Sequence, residues 1–274
     1  GYAMPVRYRD ITTEHHAVRK RAGLFDLCHM GRVRFVGKDA VALAQRVQTQ
    51  NVAKQPVGRT RYALLCNRDA GVIDDILISR EDDGFLLVVN ASNRAADLAW
   101  FDENKKGLDV SVVDDSERIA MLAVQGPEAA TILGRFGLPG AKDVGYYKFA
   151  VFPHALGSIL VSRTGYTGED GFELLFDATR SVEAWDALVD AGAPSEMIPC
   201  GLGCRDTLRL EAGMPLYGHE MDLSVNPFEA GLEFGVSLEN PSVARQALEK
   251  IKAEGPKRRL VGLAPRPVGR DLGG

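Results

Sequence analysis

Arg163-Thr164-Gly165-Tyr166-Thr167-Gly168-Glu169-Asp170-Gly171-Phe172-Glu173 is a run in which three glycines recur at spacings of three among small polar and acidic residues. Residues 159–162 before it and residues 172–176 after it are largely apolar and typical of buried strands. The run therefore predicts a tight, glycine-dependent connection between two strands, with the carboxylate of Glu173 held at its exit.

The residue types in this loop also restrict its ligand. Glycines let the backbone approach a flat ligand closely, because glycine reaches conformations that other residues rarely adopt. The loop does not match a phosphate-binding loop, since it lacks the Gly-Lys-Ser/Thr that opens a helix and carries two acids, Glu169 and Asp170. Taken alone it favours a cation or an amide-like ring edge. A hairpin stabilised by its glycines and Asp170, without a ligand, is the alternative.

The composition is that of an ordinary globular protein, with 45% hydrophobic and 26% charged residues. A chain of 274 residues exceeds one average domain, so two or more compact units are expected. No stretch approaches the roughly 20 apolar residues of a membrane span, and no signal or transit segment is visible. The net charge of −4 gives no electrostatic reason to expect nucleic acid. Neither a membrane nor a nucleic acid is therefore an expected partner.

The four cysteines, at positions 28, 66, 200 and 204, do not form a disulfide framework in a chain of this length. Cys200 and Cys204 lie four residues apart, but no second ligand pair accompanies them, so no metal site is predicted. Reduced thiols in a reducing compartment are expected. A bacterial cytoplasm and a mitochondrial matrix both fit that expectation.

The pattern of elements predicts an α+β fold with an antiparallel sheet. Residues 61–124 give the order strand, strand, strand, helix, strand, strand, with a hairpin turn at residues 67–71. Residues 139–142 are predicted to be a linker, and strands are predicted near residues 234–236 and at 259–263.

Several further blocks lie in order along the chain. They are residues 1–6 (GYAMPV), 23–31 (GLFDLCHMG), 71–77 (GVIDDIL), 122–127 (LAVQGP), 199–213 (PCGLGCRDTLRLEAG) and 215–220 (PLYGHE). Together with residues 163–173, they resemble the aminomethyltransferase (T-protein) family of the glycine cleavage system over residues 1 to about 265. Cys28 stands where that family usually has serine.

The resemblance implies a multidomain, folate-binding α+β fold of antiparallel sheets with packed helices. It implies a discontinuous first domain of residues 1–52 and 143–226, and an inserted ferredoxin-like α+β domain of residues 53–142. Residues 227–274 would begin a C-terminal barrel. Because the family continues for several tens of residues beyond this point, the barrel is expected to be incomplete here.

Asp74 and Asp75 lie in an otherwise apolar strand, residues 72–77. Adjacent strand residues face opposite sides, so only one of the two acids can enter a given cavity. A carboxylate on the apolar side costs several kcal/mol unless it is paired or functional. In the alternative without function, one Asp is solvated and the other bonds to the turn at residues 67–68. The resemblance assigns Asp75 as the catalytic carboxylate near the reacting nitrogen of folate.

The resemblance implies that Glu173 binds the pterin and that Arg205 contacts the folate. A pterin edge presents an amino group and a ring N–H, which a carboxylate accepts as a fork in strong charge-assisted bonds. The alternative for Glu173 is an exposed strand position. Arg205 opposes the dipole at a helix start, so an acidic or carbonyl partner is expected. Its alternative is structural pairing with Asp206 or Glu211, and the resemblance leaves Arg209 structural.

The resemblance also implies five further residues at the folate: Met30, Leu86, Val88, Asn90 and Tyr166. Asn90 follows a predicted strand, where a side-chain amide can cap a ligand edge. Leu86 stands where the family often has an aromatic residue. The resemblance therefore implies that Leu86 contacts the pterin ring, but not that it stacks on it. His29 is expected to be a structural hydrogen-bonding residue and not a general base.

The activity implied by the resemblance is that of a tetrahydrofolate-dependent aminomethyltransferase. The one-carbon unit passes from an aminomethyl group on the dihydrolipoyl arm of the H-protein to tetrahydrofolate, with release of ammonia. Lipoylated H-protein is the implied partner. No metal is needed, because folate accepts the carbon and lipoate carries it.

Three other functions stay open. A related tetrahydrofolate-dependent demethylase would take a free sulfonium or methylamine donor. A non-catalytic folate-binding protein of iron–sulfur cluster assembly would carry a Lys-Gly-Cys-Tyr-type motif near the glycine loop. Here residues 163–166 are Arg-Thr-Gly-Tyr and Asp75 is retained, which argues against that function. In the third, the chain is an inactive fragment of the enzyme, because the complete C-terminal barrel would help to enclose the folate.

Overall fold

The computed structural model describes residues 2–263, which form two sheets with helices packed against them. The strands are β1 (Gly23–Asp26), β2 (Gly31–Val36), β3 (Thr60–Cys66), β4 (Val72–Arg80), β5 (Gly84–Val89), β6 (Ser111–Asp114), β7 (Ile119–Gln125), β8 (Phe149–His154), β9 (Gly157–Ser162), β10 (Gly171–Asp177) and β11 (Ile198–Pro199). The helices are α1 (Ile11–Lys20), α2 (Ala40–Val47), α3 (Arg94–Asn104), α4 (Ala129–Arg135), α5 (Ser181–Gly192), α6 (Leu202–Glu211) and α7 (Arg245–Glu254). The predicted α+β class is confirmed. Within residues 2–263, each helix falls short of the length and apolar character that crossing a bilayer requires.

The first sheet has the strand order β11-β1-β7-β10-β9-β8 and is antiparallel except where β1 meets β11. Its central strand β7 is buried on both faces. Ala120, Leu122 and Val124 pack in a core with α4 and α5, whereas Met121 and Ala123 pack in a second core with α1 and α6. This is the alternation of a strand covered on both sides.

Strand β10 uses the same alternation to position one acid. Phe172, Leu174 and Phe176 enter the core beneath α4 and α5. Leu175 packs in the second core, on the opposite face. Glu173 shares that opposite face, so the strand period carries its carboxylate away from α4 and α5.

The second sheet has the order β3-β4-β5-β2-β6 and is antiparallel throughout. Helices α2 and α3 cover one face, where Ile76 and Ile78 of β4 enter the core. Asp74 shares their parity and therefore lies on the helix side. Asp75 and Leu77 point to the opposite face, which looks toward the first sheet.

Three predicted elements differ from the structure. The predicted linker at 139–142 is a 3₁₀ turn, Pro139–Asp143, because Ala141 is buried against the first core. The predicted strand near 234–236 is also a 3₁₀ turn, Glu233–Gly235. Residues 259–263 form no strand within the described chain, because a single backbone bond, from the N–H at position 260 to the carbonyl at position 229, ties them down.

The division into three domains stays a prediction. Strand β2, from the predicted first domain, joins the second sheet, and β7, from the predicted inserted segment 53–142, joins the first. Residues 264–274 of the predicted barrel lie outside the described residues.

The glycine loop, residues 163–170, connects two strands as predicted, and these strands, β9 and β10, pair antiparallel. The side chain of Gln125 fills the inside of the loop. Its Nε2 donates to the Thr164 carbonyl over 3.1 Å, and its Oε1 accepts from Thr167 Oγ1 over 3.0 Å. A Cβ on Gly165 would lie 2.0 Å from that Oε1. Close approach of a buried amide, more than of a ligand, therefore requires glycine here.

Substituting Gly165 with alanine is expected to destabilise the fold by about 1–3 kcal/mol, because Gln125 is buried and held at both ends of its amide. Urea unfolding measures the change. Gly134→Ala in α4 is the matched control, because no atom lies within 4 Å of its added Cβ. There alanine should stabilise by up to about 1 kcal/mol. Equal destabilisation by the two substitutions would contradict the role of Gln125.

Candidate active site

A cavity of about 750 Å³ lies between the two sheets. Its walls come from the inward faces of β4, β5 and β10, from α6, and from residues 212–216 and 230–232. Ligand sites in proteins commonly span about 300–1,000 Å³, so the cavity has the size for a vitamin-sized molecule.

The cavity brings together residues that are far apart in sequence. Seven of the eight predicted site residues line it: Met30, Asp75, Val88, Asn90, Tyr166, Glu173 and Arg205. Leu86 does not. It is 2% exposed and packs behind the wall, in the core that Met30 and Val88 cover. A ring contact by Leu86 therefore has no support from its position.

Asp75 is the acid that β4 turns into the cavity. The Nδ2 of Asn90 donates to its Oδ1 over 2.8 Å. Burial, and after it the charge of Asp74, raise the pKa of Asp75 to about 7. A carboxyl group that titrates near neutral pH is suited both to accept and to return a proton.

The alternative in which Asp74 is either solvated or bonded to the turn at residues 67–68 is wrong. It is fully buried and accepts from the backbone N–H of Asn90 over 2.9 Å. The side-chain amides of Asn90 and Asn93 donate to its Oδ1 over 2.9 and 2.6 Å. Asn67 instead accepts hydrogen bonds within its own turn. Strand alternation, which sends Asp74 toward α3, is the reason.

Glu173 points into the cavity and is 5% exposed. The Thr164 hydroxyl donates to its Oε2. Burial raises the pKa of Glu173, while the Thr164 bond and the charge of Arg205 lower it. Its Oε1 accepts no hydrogen bond from residues 2–263 and is not enclosed. One oxygen is thus held in place and the other is free for a ligand donor.

Arg205 enters the same cavity from α6. Its guanidinium lies over the Tyr166 ring, 4.7 Å from the centroid, and the Tyr166 hydroxyl donates to a backbone carbonyl of the cavity wall. The alternative pairing with Asp206 or Glu211 is wrong, because these acids pair with Arg209 and with side chains of α1. The expected acidic or carbonyl partner is absent among residues 2–263, where the aromatic ring takes its place. Arg209 borders the same cavity and pairs with Asp206 and Glu220, which agrees with the structural role expected for it.

Glu173 and Arg205 are opposite charges in one cavity that do not form an ion pair within the described residues. Burial lowers the pKa of Arg205, and the charge of Glu173 is the strongest influence opposing that shift. Charges withdrawn from water without a paired partner cost several kcal/mol. A ligand that carries an N–H edge for Glu173 and an acceptor for Arg205 would satisfy both groups.

The cavity also has lining residues that were not assigned to it from the sequence, among them His29, Tyr62 and Tyr147. The Nδ1 of His29 is buried without a hydrogen-bond partner among residues 2–263, and burial, followed by the charge of Arg205, lowers the pKa of His29 to about 4. Burial and the charge of Asp75 raise the pKa of Tyr62. Tyr147 has φ +54°, unusual for a residue with a side chain. Tyr62 was open to prediction, because β3 pairs it with the cavity-facing strand β4; nothing local marks Tyr147.

A second group of side chains has the residue types of a metal site but has a structural role. Ligand atoms of Glu14, Cys200 and Cys204 lie within 4.8 Å of one another, all buried. The Glu14 carboxylate, however, accepts three backbone N–H groups, which fix the N-terminal segment to the start of α6. The group therefore has a structural explanation. All four cysteines are free thiols, as expected from their number.

Comparison with known proteins gives one family. Residues 1–240 match the family described as GCVT N-terminal domain. The aminomethyltransferase of Rubrobacter xylanophilus is 46% identical over 264 residues, which cover 96% of this chain and 70% of that protein. That of Geobacillus kaustophilus is 46% identical over 270 residues, covering 96% and 73%. The structure of glycine cleavage system aminomethyltransferase T from Bartonella henselae matches with a TM-score of 0.86 at 32% identity, over 93% of this chain and 70% of the other. The resemblance of the sequence blocks is confirmed, and the chain belongs to the aminomethyltransferase family of the glycine cleavage system.

Proposed function

We propose that the cavity between the two sheets binds tetrahydrofolate and that this aminomethyltransferase uses it as the acceptor of the one-carbon unit. The donor is an aminomethyl group on the dihydrolipoyl arm of an H-protein. The carbon forms bonds to two folate nitrogens as its bonds to the amino nitrogen and to the lipoyl sulfur break. Ammonia and the free dihydrolipoyl thiol therefore leave, and 5,10-methylenetetrahydrofolate forms. The observation that carries the proposal is the pair of unmatched charges, Glu173 and Arg205, in one cavity with Asp75.

The donor set fits the pterin edge of folate. Glu173 has one oxygen fixed by Thr164 and one free, so it can accept from the amino group and ring N–H of the pterin. The Arg205 guanidinium lies over the Tyr166 ring, and its N–H groups can donate to acceptor atoms of the folate. Met30 and Val88 supply the apolar wall against which a flat ring packs.

Asp75 would handle the proton. Its Oδ1 accepts from Asn90, whereas its Oδ2 is not bonded to Asn90, and the carboxyl group lines the cavity beside the Tyr62 hydroxyl. Oδ2 is therefore the atom that takes a proton from the folate amine or returns one to the departing ammonia. Most of the remaining rate enhancement is expected from proximity, because the reaction joins a nitrogen nucleophile to an electrophilic carbon.

The reduced thiols and the bacterial relatives favour the bacterial cytoplasm as the location, with the mitochondrial matrix as the eukaryotic equivalent.

Ammonia release from aminomethylated H-protein, measured with and without tetrahydrofolate, tests the function. Release that depends on this protein and rises when tetrahydrofolate is added is the expected result. Free aminomethylated lipoamide at the same concentration is the control, because a lipoylated protein partner should react faster than its detached arm. Turnover of a free sulfonium or methylamine donor without H-protein would indicate a demethylase. Folate binding without any ammonia release would indicate a non-catalytic protein or an inactive fragment.

A further inference from the structure

A third acid lies behind the two in strand β4. Asp97 of α3 is fully buried, and neither of its oxygens receives a hydrogen bond from an N–H or O–H donor within residues 2–263. The group that its carboxyl faces at hydrogen-bond range is the carboxyl of Asp74. Two carboxylates cannot both stay ionised at such a contact, because like charges in a buried site repel strongly.

Asp74 is the member of this pair with the donors. It accepts three N–H bonds, two from Asn90 and one from Asn93, and these favour its charged form. A carboxylate offers about four acceptor sites, so Asp74 has one left for an O–H donor. Asp97 has no N–H donor of its own among the described residues. The proton of the pair therefore belongs on Asp97.

We propose that Asp97 is a positioning residue whose protonated carboxyl group donates to ionised Asp74, which fixes the side chain of Asn90 and through it the catalytic carboxyl of Asp75. The Nδ2 of Asn90 donates to Asp74 Oδ1 and to Asp75 Oδ1 over 2.9 and 2.8 Å. This orientation of the amide holds Asp75 in place and leaves the Asn90 Oδ1 free to accept a ligand N–H.

The arrangement also explains the titration of Asp75. Burial beside Asp74 raises the pKa of Asp97 to about 10, so Asp97 stays neutral at pH 7. Burial raises the pKa of Asp74 as well, but the bonds from Asn90, Asn93 and Asp97 oppose that shift and favour its charged form. After burial, the charge of Asp74 is the main cause that raises the pKa of Asp75. Other titratable groups face Asp74, Asp75 and Asp97. They are Tyr62 of β3, Arg205 of α6, and three tyrosines outside the helices and strands, Tyr147, Tyr166 and Tyr217.

Two substitutions at position 97 separate protonated from ionised Asp97. Asparagine keeps a neutral donor of the same shape, so Asp97→Asn should leave the acid inflection of the kcat profile within about 0.3 pH unit of the parent. Valine removes the donor. Asp74 then takes the proton itself, its charge beside Asp75 is lost, and the inflection should fall by about one pH unit while kcat drops about tenfold.

The outcomes that overturn the proposal are distinct. An equal fall of the inflection in Asp97→Asn and Asp97→Val would mean that Asp97 is ionised in the parent protein. No shift in either would mean that Asp97 does not act on Asp75. Phe101→Leu, in the core side of the same helix, is the matched control, because it loosens α3 without touching the acids and should leave the inflection in place.

This inference rests on the proposed role of Asp75, so a readout that does not need turnover is also required. The C=O stretch of a protonated carboxyl group can be compared between the parent protein and Asp97→Asn by infrared difference spectroscopy at pH 8. A protonated-acid band present in the parent and missing in Asp97→Asn supports the proposal even if the enzyme uses another substrate or Asp97→Val fails to fold. Absence of this band from the parent protein would overturn the proposal.

Discussion

Replacing Asp75 with asparagine is expected to lower kcat by about 10²–10⁴-fold, the usual contribution of a positioned acid–base group. The amide keeps the bond from Asn90, because its Oδ1 still accepts, but it cannot hold and return a proton. Folate binding should change little, since Glu173 and Arg205 are untouched. Steady-state kinetics with separate titrations of folate and H-protein measure the change. Near-parent turnover with folate still bound would exclude the assigned role.

The same substitution should raise stability above neutral pH. The folded-state pKa of Asp75 is raised to about 7 from a usual value of 3.8. The unfolded chain therefore loses this proton first, so the free energy of unfolding falls as the pH rises from about 4 to about 7. Asp75→Asn removes that loss and should be more stable by on the order of 2 kcal/mol at pH 8, but not at pH 4. Asp69→Asn, on an exposed turn, should alter neither activity nor this pH dependence.

Replacing Glu173 with glutamine is expected to weaken binding of a reduced folate by about 10–100-fold, because a charge-assisted acceptor becomes a neutral amide. The effect should appear in the dissociation constant and in KM for folate, with a smaller change in kcat. This separates Glu173, a binding residue, from Asp75. Calorimetric titration of each variant with reduced folate measures it.

The pH dependence of binding gives a second test of Glu173. Burial raises the pKa of Glu173, and binding needs the ionised form, so affinity should fall with decreasing pH at a higher pH than an ordinary glutamate would give. In Glu173→Gln this dependence should disappear. Glu169→Gln is the matched control in the same loop, since Glu169 pairs with Arg19 outside the cavity. Equal weakening by the two substitutions would place the effect in the loop and not in the carboxylate.

The sequence was sufficient to predict much of the site because alternation in a strand is local. The motif around Asp74 and Asp75 showed that only one acid could enter a cavity, and the glycine loop showed that Glu173 follows a strand connection. The resemblance then selected Asp75 and Arg205. Their shared cavity agrees with these predictions, although their roles at a ligand stay predictions.

Errors arose where an element depends on distant partners. A strand was predicted at residues 259–263 from apolar content, but a strand needs a neighbour along its whole length, and the described chain provides one backbone bond. Leu86, placed at the folate by the resemblance, shares a strand face with Val88 but packs in the core that Met30 and Val88 cover, so its contact with a ligand stays a prediction. The need for glycine at position 165 comes from the side chain of Gln125, on a different strand.

The order of residues along the chain by itself determined the α+β class, the glycine-dependent connection and the alternation that separates Asp74 from Asp75, because each depends on backbone geometry over a few residues. Tertiary structure alone decided that Glu173 and Arg205 share a cavity without pairing, and that Asp97 lies against Asp74. Those contacts join residues from different sheets and helices. Their energies depend on how completely water is excluded, and no local pattern records that.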